Sequence, residues 1–290
     1  MIQYDSKMTD SDDLVQALAW QLAMGADESV SDMPIDRYQW VAEQLAARTS
    51  GRASPRATMP PAGQQMQEAP ASYRPGLSES APLGTADAAA ESRKLAMACN
   101  NLEELRKAVE RFEGCALKQT ASNTVFGDGV ENADIMFIGE APGRDEDREG
   151  KPFVGVSGQM LDRMLSFIGL DRQTNFYITN TLYWWPPGNR TPTDGEVASC
   201  LPFLERQIEL VDPKILVLVG NRSAKTFLAT TAGITRLRGK WSEYQTQNMA
   251  AAIPALPIFH PAYLLRNAEQ KQLVWRDLLS LKRKMEETGI

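Results

Sequence analysis

The feature of this sequence that most restricts its fold is a regular alternation of short apolar segments with longer helical patterns. The apolar segments are Ile135–Gly139, Phe176–Thr179, Ile215–Val219 and Ile253–Phe259. The helical patterns are Gln159–Ile168, Asp194–Leu210, Ser223–Thr230 and Glu269–Glu286. Segments that are apolar on both faces are typical of parallel strands covered by helices on each side, with right-handed crossovers. The alternation predicts an α/β fold, a three-layer α/β/α sandwich around a central, mostly parallel sheet of about four strands.

The composition changes twice before this α/β domain, which we predict to span 91–290. Residues 1–49 contain two amphipathic patterns, Asp10–Met24 and Arg37–Ala47, and predict an N-terminal helical extension that docks on the main domain or on a protein partner. Residues 50–90 are rich in Pro, Ala, Ser, Gly and Gln. Such a segment buries too little apolar surface to offset its ordering entropy, so we predict a flexible linker.

Composition excludes several classes of protein. The sequence has no run of about 18 apolar residues, which argues against a membrane span, and its polar, acidic N-terminus does not resemble a signal peptide. Three cysteines without a CxxC pair argue against a disulfide framework and favour a cytoplasmic protein. The net charge of −6 disfavours general coating of nucleic acid but allows a local basic face. We expect a monomer.

The stretch Gly139–Gly158, GEAPGRDEDREGKPFVGVSG, follows the first apolar segment. Open α/β sheets bind ligands at the carboxyl ends of their strands, and this stretch has that position. The segments after the other strands, 180–194, 220–222 and 260–267, are expected at the same edge and carry unusual polar residues. The sequence has no GxxxxGK[ST] loop and no GxGxxG fingerprint at the first strand, which argues against a nucleotide-binding protein.

Several motifs, in order along the chain from about Cys99 to the C-terminus, resemble those of the family 4 uracil-DNA glycosylases. They are GEAPG…ED..G.PFVG..G from 139 to 158, YITN at 177–180, PPGNR at 186–190, RG.W at 238–241 and HPAYLLR at 260–266. The resemblance implies the same α/β/α fold. It also implies a DNA-repair enzyme that flips uracil out of DNA, hydrolyses the N-glycosidic bond and leaves an abasic site. No lysine stands out as a Schiff-base nucleophile, so we expect no strand cleavage.

The resemblance assigns three residues to the substrate pocket. Asn180 binds the uracil edge in the family, and an amide offers the donor and acceptor that O4 and N3–H require. The alternative for Asn180 is that it caps its own backbone. Phe153 would stack on the flipped base, or else pack in the core. Ala141 stands where better-known uracil glycosylases have a water-activating aspartate.

Three further residues are candidates for catalysis. His260, the single histidine, would donate a hydrogen bond to the uracil O2 and stabilise the leaving anion, for which a neutral imidazole suffices. Glu140 would position the attacking water and balance the positive charge on the sugar, with help from Asn189. The alternative is that Glu140 accepts hydrogen bonds from backbone N–H groups of its own loop.

Four residues are expected to contact the DNA outside the pocket. Leu264 or Leu265 could enter the base stack as a wedge, and Arg266 could hold the backbone. Arg190 could contact a phosphate, or serve only the turn in which it lies.

The sequence departs from the family at the positions of an iron–sulfur cluster. Family 4 enzymes usually hold a [4Fe-4S] cluster by four cysteines. Cys115 matches the second and Cys200 the fourth, whereas Phe112 and Trp184 stand at the first and third positions. Neither an aromatic ring nor an indole ligates iron in this way. We therefore predict no cofactor and no metal site, with the two aromatic residues filling the vacated space.

Two other functions remain open at this point. One is a glycosylase for another deaminated base, such as hypoxanthine. The other is a catalytically weak protein that binds damaged DNA and recruits a partner through the N-terminal extension. The presence of Glu140, Asn180 and His260 favours an enzyme over the second alternative.

Overall fold

The computed structural model describes residues 85–290. The predicted helices within 1–49 and most of the predicted linker lie outside the described residues. Helix α1, Thr85–Met97, begins inside the segment predicted as linker. The alanines in this segment have a high helix propensity, which favours a helix there.

The sheet has six strands in the order β1-β3-β2-β4-β6-β5. The strands are β1 Asp128–Gly129, β2 Ile135–Gly139, β3 Phe176–Asn180, β4 Ile215–Val219, β5 Ser242–Tyr244 and β6 Ile253–Ile258. The four central strands are parallel, as predicted. The two edge strands are short and antiparallel, and the sequence analysis missed them.

Helices cover both faces of the sheet. The described helices after α1 are α2 Leu102–Arg111, α3 Arg144–Glu149, α4 Val156–Ser166, α5 Asp194–Val211, α6 Asn221–Phe227, α7 Ile234–Leu237, α8 Pro261–Arg266 and α9 Lys271–Thr288. Met136 and Ile138 of β2 share one apolar core with α1, α2 and α5. Ile135 and Phe137 point to the opposite face, because side chains alternate along a strand, and they are also fully buried. None of the helices in this part of the chain has the length and apolar character needed to cross a membrane.

The parallel register brings the loops after the central strands together. Gly139 at the end of β2 pairs with Asn180 at the end of β3. On the other side, the N–H of Gly220, directly after β4, donates to the carbonyl of Ile258 at the end of β6, at 2.9 Å. The loop after β2 also contains the short helix α3, which begins after Gly143 and ends at Gly150 with a φ of 70°. One edge of the sheet therefore carries all four loops.

Candidate active site

The four loops enclose a cavity of about 680 Å³ at the carboxyl edge of the parallel strands. Most of the predicted site residues line it. They are Glu140, Ala141, Phe153, Asn180, Asn189, Arg190, His260 and Arg266. The topology thus brings residues that are far apart in sequence to one cavity, as the strand-end positions predict.

Asn180 presents an unpartnered amide to this cavity. Its side chain is 1% exposed, and neither Oδ1 nor Nδ2 has a hydrogen-bond partner within residues 85–290. The alternative that it caps its own backbone therefore has no hydrogen bond to support it. A buried polar atom without a partner costs about 1–3 kcal/mol. A ligand with one donor and one acceptor at the right spacing would recover that cost.

Phe153 lies beside Asn180 in an unusual backbone conformation. Its φ is +55°, in the left-handed region, and its side chain is almost fully buried. The ring centroid is 5.9 Å from that of the His260 imidazole, with 30° between the planes. Gly139 makes room for both groups, because a Cβ there would lie 2.3 Å from Asn180 Oδ1 and 2.6 Å from Phe153 Cζ. Gly139 is a site residue that we did not assign from sequence, although a glycine closing an apolar strand was a visible signal.

Glu140 and Glu146, two of the three glutamates of the first loop, have different surroundings. The Glu146 carboxylate accepts hydrogen bonds from the N–H groups of Gly143, Val154 and Gly155, at 2.9–3.0 Å. It thus organises the loop that carries Phe153. The half-buried Glu140 carboxylate lines the cavity and accepts no hydrogen bond from the described part of the chain. Burial raises the pKa of Glu140, while the nearby Arg222 guanidinium lowers it.

His260 is held as a neutral hydrogen-bond donor. Its Nδ1 accepts the N–H of Ala262 at 3.1 Å, so this bond assigns the ring proton to Nε2. Burial lowers the pKa of His260 to about 4, so the ring is uncharged at pH 7. Gly220, with a φ of 98°, lets the neighbouring loop approach, since a Cβ there would lie 3.1 Å from His260 Cβ.

The loop after β3 contributes Asn189 and Arg190. Asn189 Oδ1 accepts from the Trp185 indole N–H at 2.7 Å, which leaves its amide N–H₂ group for the cavity. Arg190 forms a two-point ion pair with Glu196, at 2.6 and 2.9 Å. Glu196 also accepts from the backbone N–H of Thr193, the residue that caps α5. This arrangement matches the turn role that we left open for Arg190.

The segment expected to enter DNA is the short helix α8, and the structure separates its two leucines. Leu264 is fully buried, because α8 packs against α4 on that side. This burial favours Leu265, which is 49% exposed, over Leu264 as the wedge candidate. Arg266 is exposed and lines the cavity. Arg144, which the sequence analysis did not assign, lines the cavity as well.

The four positions that correspond to the cluster cysteines of the family hold Phe112, Cys115, Trp184 and Cys200. Phe112 packs edge-on against Phe203, with ring centroids 5.2 Å apart, and Trp184 is fully buried. A hydrogen bond from the buried Cys200 thiol lowers the pKa of Cys115. Residues 85–290 contain no group of three or more His, Cys, Asp and Glu that could hold a metal ion. Two thiols, a phenyl ring and an indole do not match the four thiolate-type ligands of a [4Fe-4S] cluster.

Comparison with known proteins connects this geometry to one family. The sequence model of the Uracil DNA glycosylase superfamily matches residues 126–279. A Type-4 uracil-DNA glycosylase of Sulfurisphaera tokodaii is 37% identical over 188 residues, which cover 63% of this chain and 84% of the relative. The Type-4 uracil-DNA glycosylase of Archaeoglobus fulgidus is 38% identical over 176 residues, which cover 59% of this chain and 87% of the relative. The Type-4 uracil-DNA glycosylase of Thermotoga maritima is 35% identical over 191 residues, which cover 65% of this chain and 96% of the relative. The chain belongs to the uracil DNA glycosylase superfamily.

Proposed function

We propose that this protein is a monofunctional uracil-DNA glycosylase of base excision repair. The observation that carries the proposal is the buried, unpartnered amide of Asn180 beside the Phe153 ring. A flipped uracil stacked on Phe153 would satisfy both amide atoms at once, with Nδ2–H donating to O4 and Oδ1 accepting N3–H. The Type-4 relatives bear the name of this activity.

Cleavage breaks the bond between C1′ of the sugar and N1 of the base. The electron pair leaves with uracil, and negative charge develops on O2, where the neutral His260 donates a hydrogen bond from Nε2. The sugar gains oxocarbenium character, which the Glu140 carboxylate balances while it orients the attacking water. Water oxygen forms the new bond to C1′, and its proton passes to the carboxylate or to solvent. The Asn189 amide N–H₂ group helps to place this water.

DNA contacts would surround the mouth of the cavity. Leu265 is exposed on α8 and can fill the space left by the flipped base, and the exposed Arg266 can hold a phosphate. Arg190 is engaged with Glu196, so a phosphate contact from Arg190 would have to share the guanidinium.

The glycosylase assay uses a labelled oligonucleotide with one uracil, followed by alkali to cleave abasic sites. Wild type should release uracil, and Asn180→Asp should lose uracil activity and gain activity on cytosine. Since a site built for specific hydrogen bonds rejects the wrong base strongly, wild type should leave cytosine intact. Cleavage of hypoxanthine but not uracil would assign another deaminated base. Folded protein that cleaves neither would refute the enzyme proposal and favour a DNA-binding role.

We further propose that the enzyme works without an iron–sulfur cluster. The aromatic packing of Phe112 and Trp184 then joins the loops around Cys115 and Cys200. Protein purified without oxygen should contain far less than stoichiometric iron and acid-labile sulfide, and a Cys115→Ala/Cys200→Ala variant should keep its activity. Stoichiometric iron with a cluster absorbance band would contradict this proposal.

Three remaining proposals concern the setting of the reaction. Uracil-containing DNA is the substrate, and the enzyme acts as a cytoplasmic monomer. The described cysteines are all free thiols, which is compatible with a reducing compartment. The N-terminal extension would bind a protein partner and would not be needed for catalysis. A variant without residues 1–84 should therefore keep its activity in the same glycosylase assay.

A further inference from the structure

Arg172 makes a set of contacts that the proposed reaction does not use. It lies in the turn between α4 and β3, and its side chain is only 13% exposed. One guanidinium nitrogen donates to the carbonyl of Pro152 at 2.6 Å, and the other donates to the carbonyl of Phe153 at 2.9 Å. The carboxylates of Asp162 and Asp128 complete the arrangement, at 2.9 and 3.3 Å.

The two carbonyls that Arg172 holds flank a strained backbone position. Phe153 has a φ of +55°, a conformation that costs a non-glycine residue about 1–2 kcal/mol. Gly158 also packs closely against the Phe153 carbonyl, because a Cβ at Gly158 would lie 1.9 Å from Phe153 O. The conformation persists only if the surroundings hold it, and Arg172 supplies the donor that fixes the carbonyl.

We propose that Arg172 is a positioning residue for the substrate base. Its guanidinium keeps the Pro152 and Phe153 carbonyls in place and so holds the Phe153 ring in the cavity beside Asn180 and His260. This proposal rests on the proposed function in one respect only, that the Phe153 ring stacks on the flipped base. Asp162 and Asp128 act on the base indirectly, by fixing the guanidinium.

The test begins with Arg172→Ala on the single-uracil oligonucleotide. Loss of a base–aromatic stack lowers binding by about 10-fold to 100-fold, so kcat/KM should fall within this range. Arg172→Lys keeps the positive charge beside both carboxylates but cannot donate from two separate nitrogens. We expect Arg172→Lys to lower kcat/KM by less than Arg172→Ala does. Arg172→Lys serves as the test variant if Arg172→Ala does not fold.

A double-mutant cycle separates positioning from general stability. If Arg172 acts through the Phe153 ring, its replacement should cost little in a Phe153→Ala background, because the ring is already gone. Equal losses in the two backgrounds would overturn the proposal. Arg206→Ala is the matched control, since Arg206 also donates to a backbone carbonyl, that of Cys99 at 2.9 Å, and to a carboxylate, Glu209 at 3.0 Å, but does not line the cavity. It should lower the thermal midpoint without changing kcat/KM.

A crystal structure of the Arg172 variant tests the inference without relying on a measurement of activity. We expect Phe153 to leave the left-handed region and its ring to move from the cavity. An unchanged Phe153 backbone and ring would overturn the inference whether or not wild type cleaves uracil. Conversely, wild type that cleaves no deaminated base, together with a displaced Phe153 ring in the variant, would refute the proposed function but would still show that Arg172 positions the Phe153 ring.

Discussion

Replacing His260 by phenylalanine tests the electrostatic state on which the proposed chemistry depends. The pKa of the half-buried His260 ring is about 4, compared with 6.5 for an ordinary histidine. At a pH between these two pKa values, the unfolded chain therefore binds a proton that the folded protein does not bind. The free energy of unfolding consequently falls as the pH falls through this window. By proton linkage, this histidine lowers the free energy of unfolding of wild type by about 2 kcal/mol between pH 7 and pH 5. The phenylalanine variant should lack this contribution.

The measurement is urea unfolding of both proteins at pH 7, 6 and 5. His260 is the single histidine in the chain, so no other imidazole contributes to the difference between the two stabilities. The variant also loses the Nδ1 acceptor of the Ala262 N–H, which lowers its stability by a similar amount at every pH. A stability difference that stays constant from pH 7 to pH 5 would refute the assignment of His260 as a neutral donor. The same variant should lose about 10²–10³ in kcat at pH 7, the effect of removing one donor to a developing anion.

Other substitutions test the remaining parts of the site. Glu140→Gln should lower single-turnover rates by about 10²–10⁴ with little effect on DNA affinity, and unaltered rates would exclude a role for this carboxylate. Arg222→Gln should move the acid limb of the pH–rate profile to higher pH, because Arg222 lowers the raised pKa of Glu140; an unmoved limb would contradict this. Gly139→Ala should cost about 1–3 kcal/mol in unfolding free energy and block uracil cleavage, as an added Cβ overlaps Asn180 and Phe153. Leu265→Ala should weaken base flipping without lowering the thermal midpoint, and a large midpoint loss would place Leu265 in the core instead.

The central sheet could be predicted because its strands carry the signal within themselves. The boundaries of β2 and β4 coincide with the predicted segments, since four or five consecutive apolar side chains form a strand that is buried on both faces. The edge strands β1 and β5 are two and three residues long and half-exposed or exposed. They form by pairing with β3 and β6, so no local sequence pattern predicts them.

The location of the site residues could be predicted from the topology of the sheet. Parallel strands end at one edge, which brings Glu140, Asn180 and His260 into one cavity. Sequence could not decide which of Glu140 and Glu146 is bound to backbone N–H groups. That depends on α3, which turns the Glu146 carboxylate toward the chain at Val154 and Gly155 and leaves the Glu140 carboxylate in the cavity.

The position of the Phe153 ring shows where motif comparison stops. The motif supplies a phenylalanine, but nothing in a linear pattern indicates a φ of +55° at a residue other than glycine. The contact that holds this conformation comes from Arg172, which is 19 residues away and belongs to none of the motifs. A relative could therefore keep every motif and still lose the stacking ring through a change in the α4–β3 turn. The proposed base binding therefore depends on backbone support as well as on the residues that would contact the base.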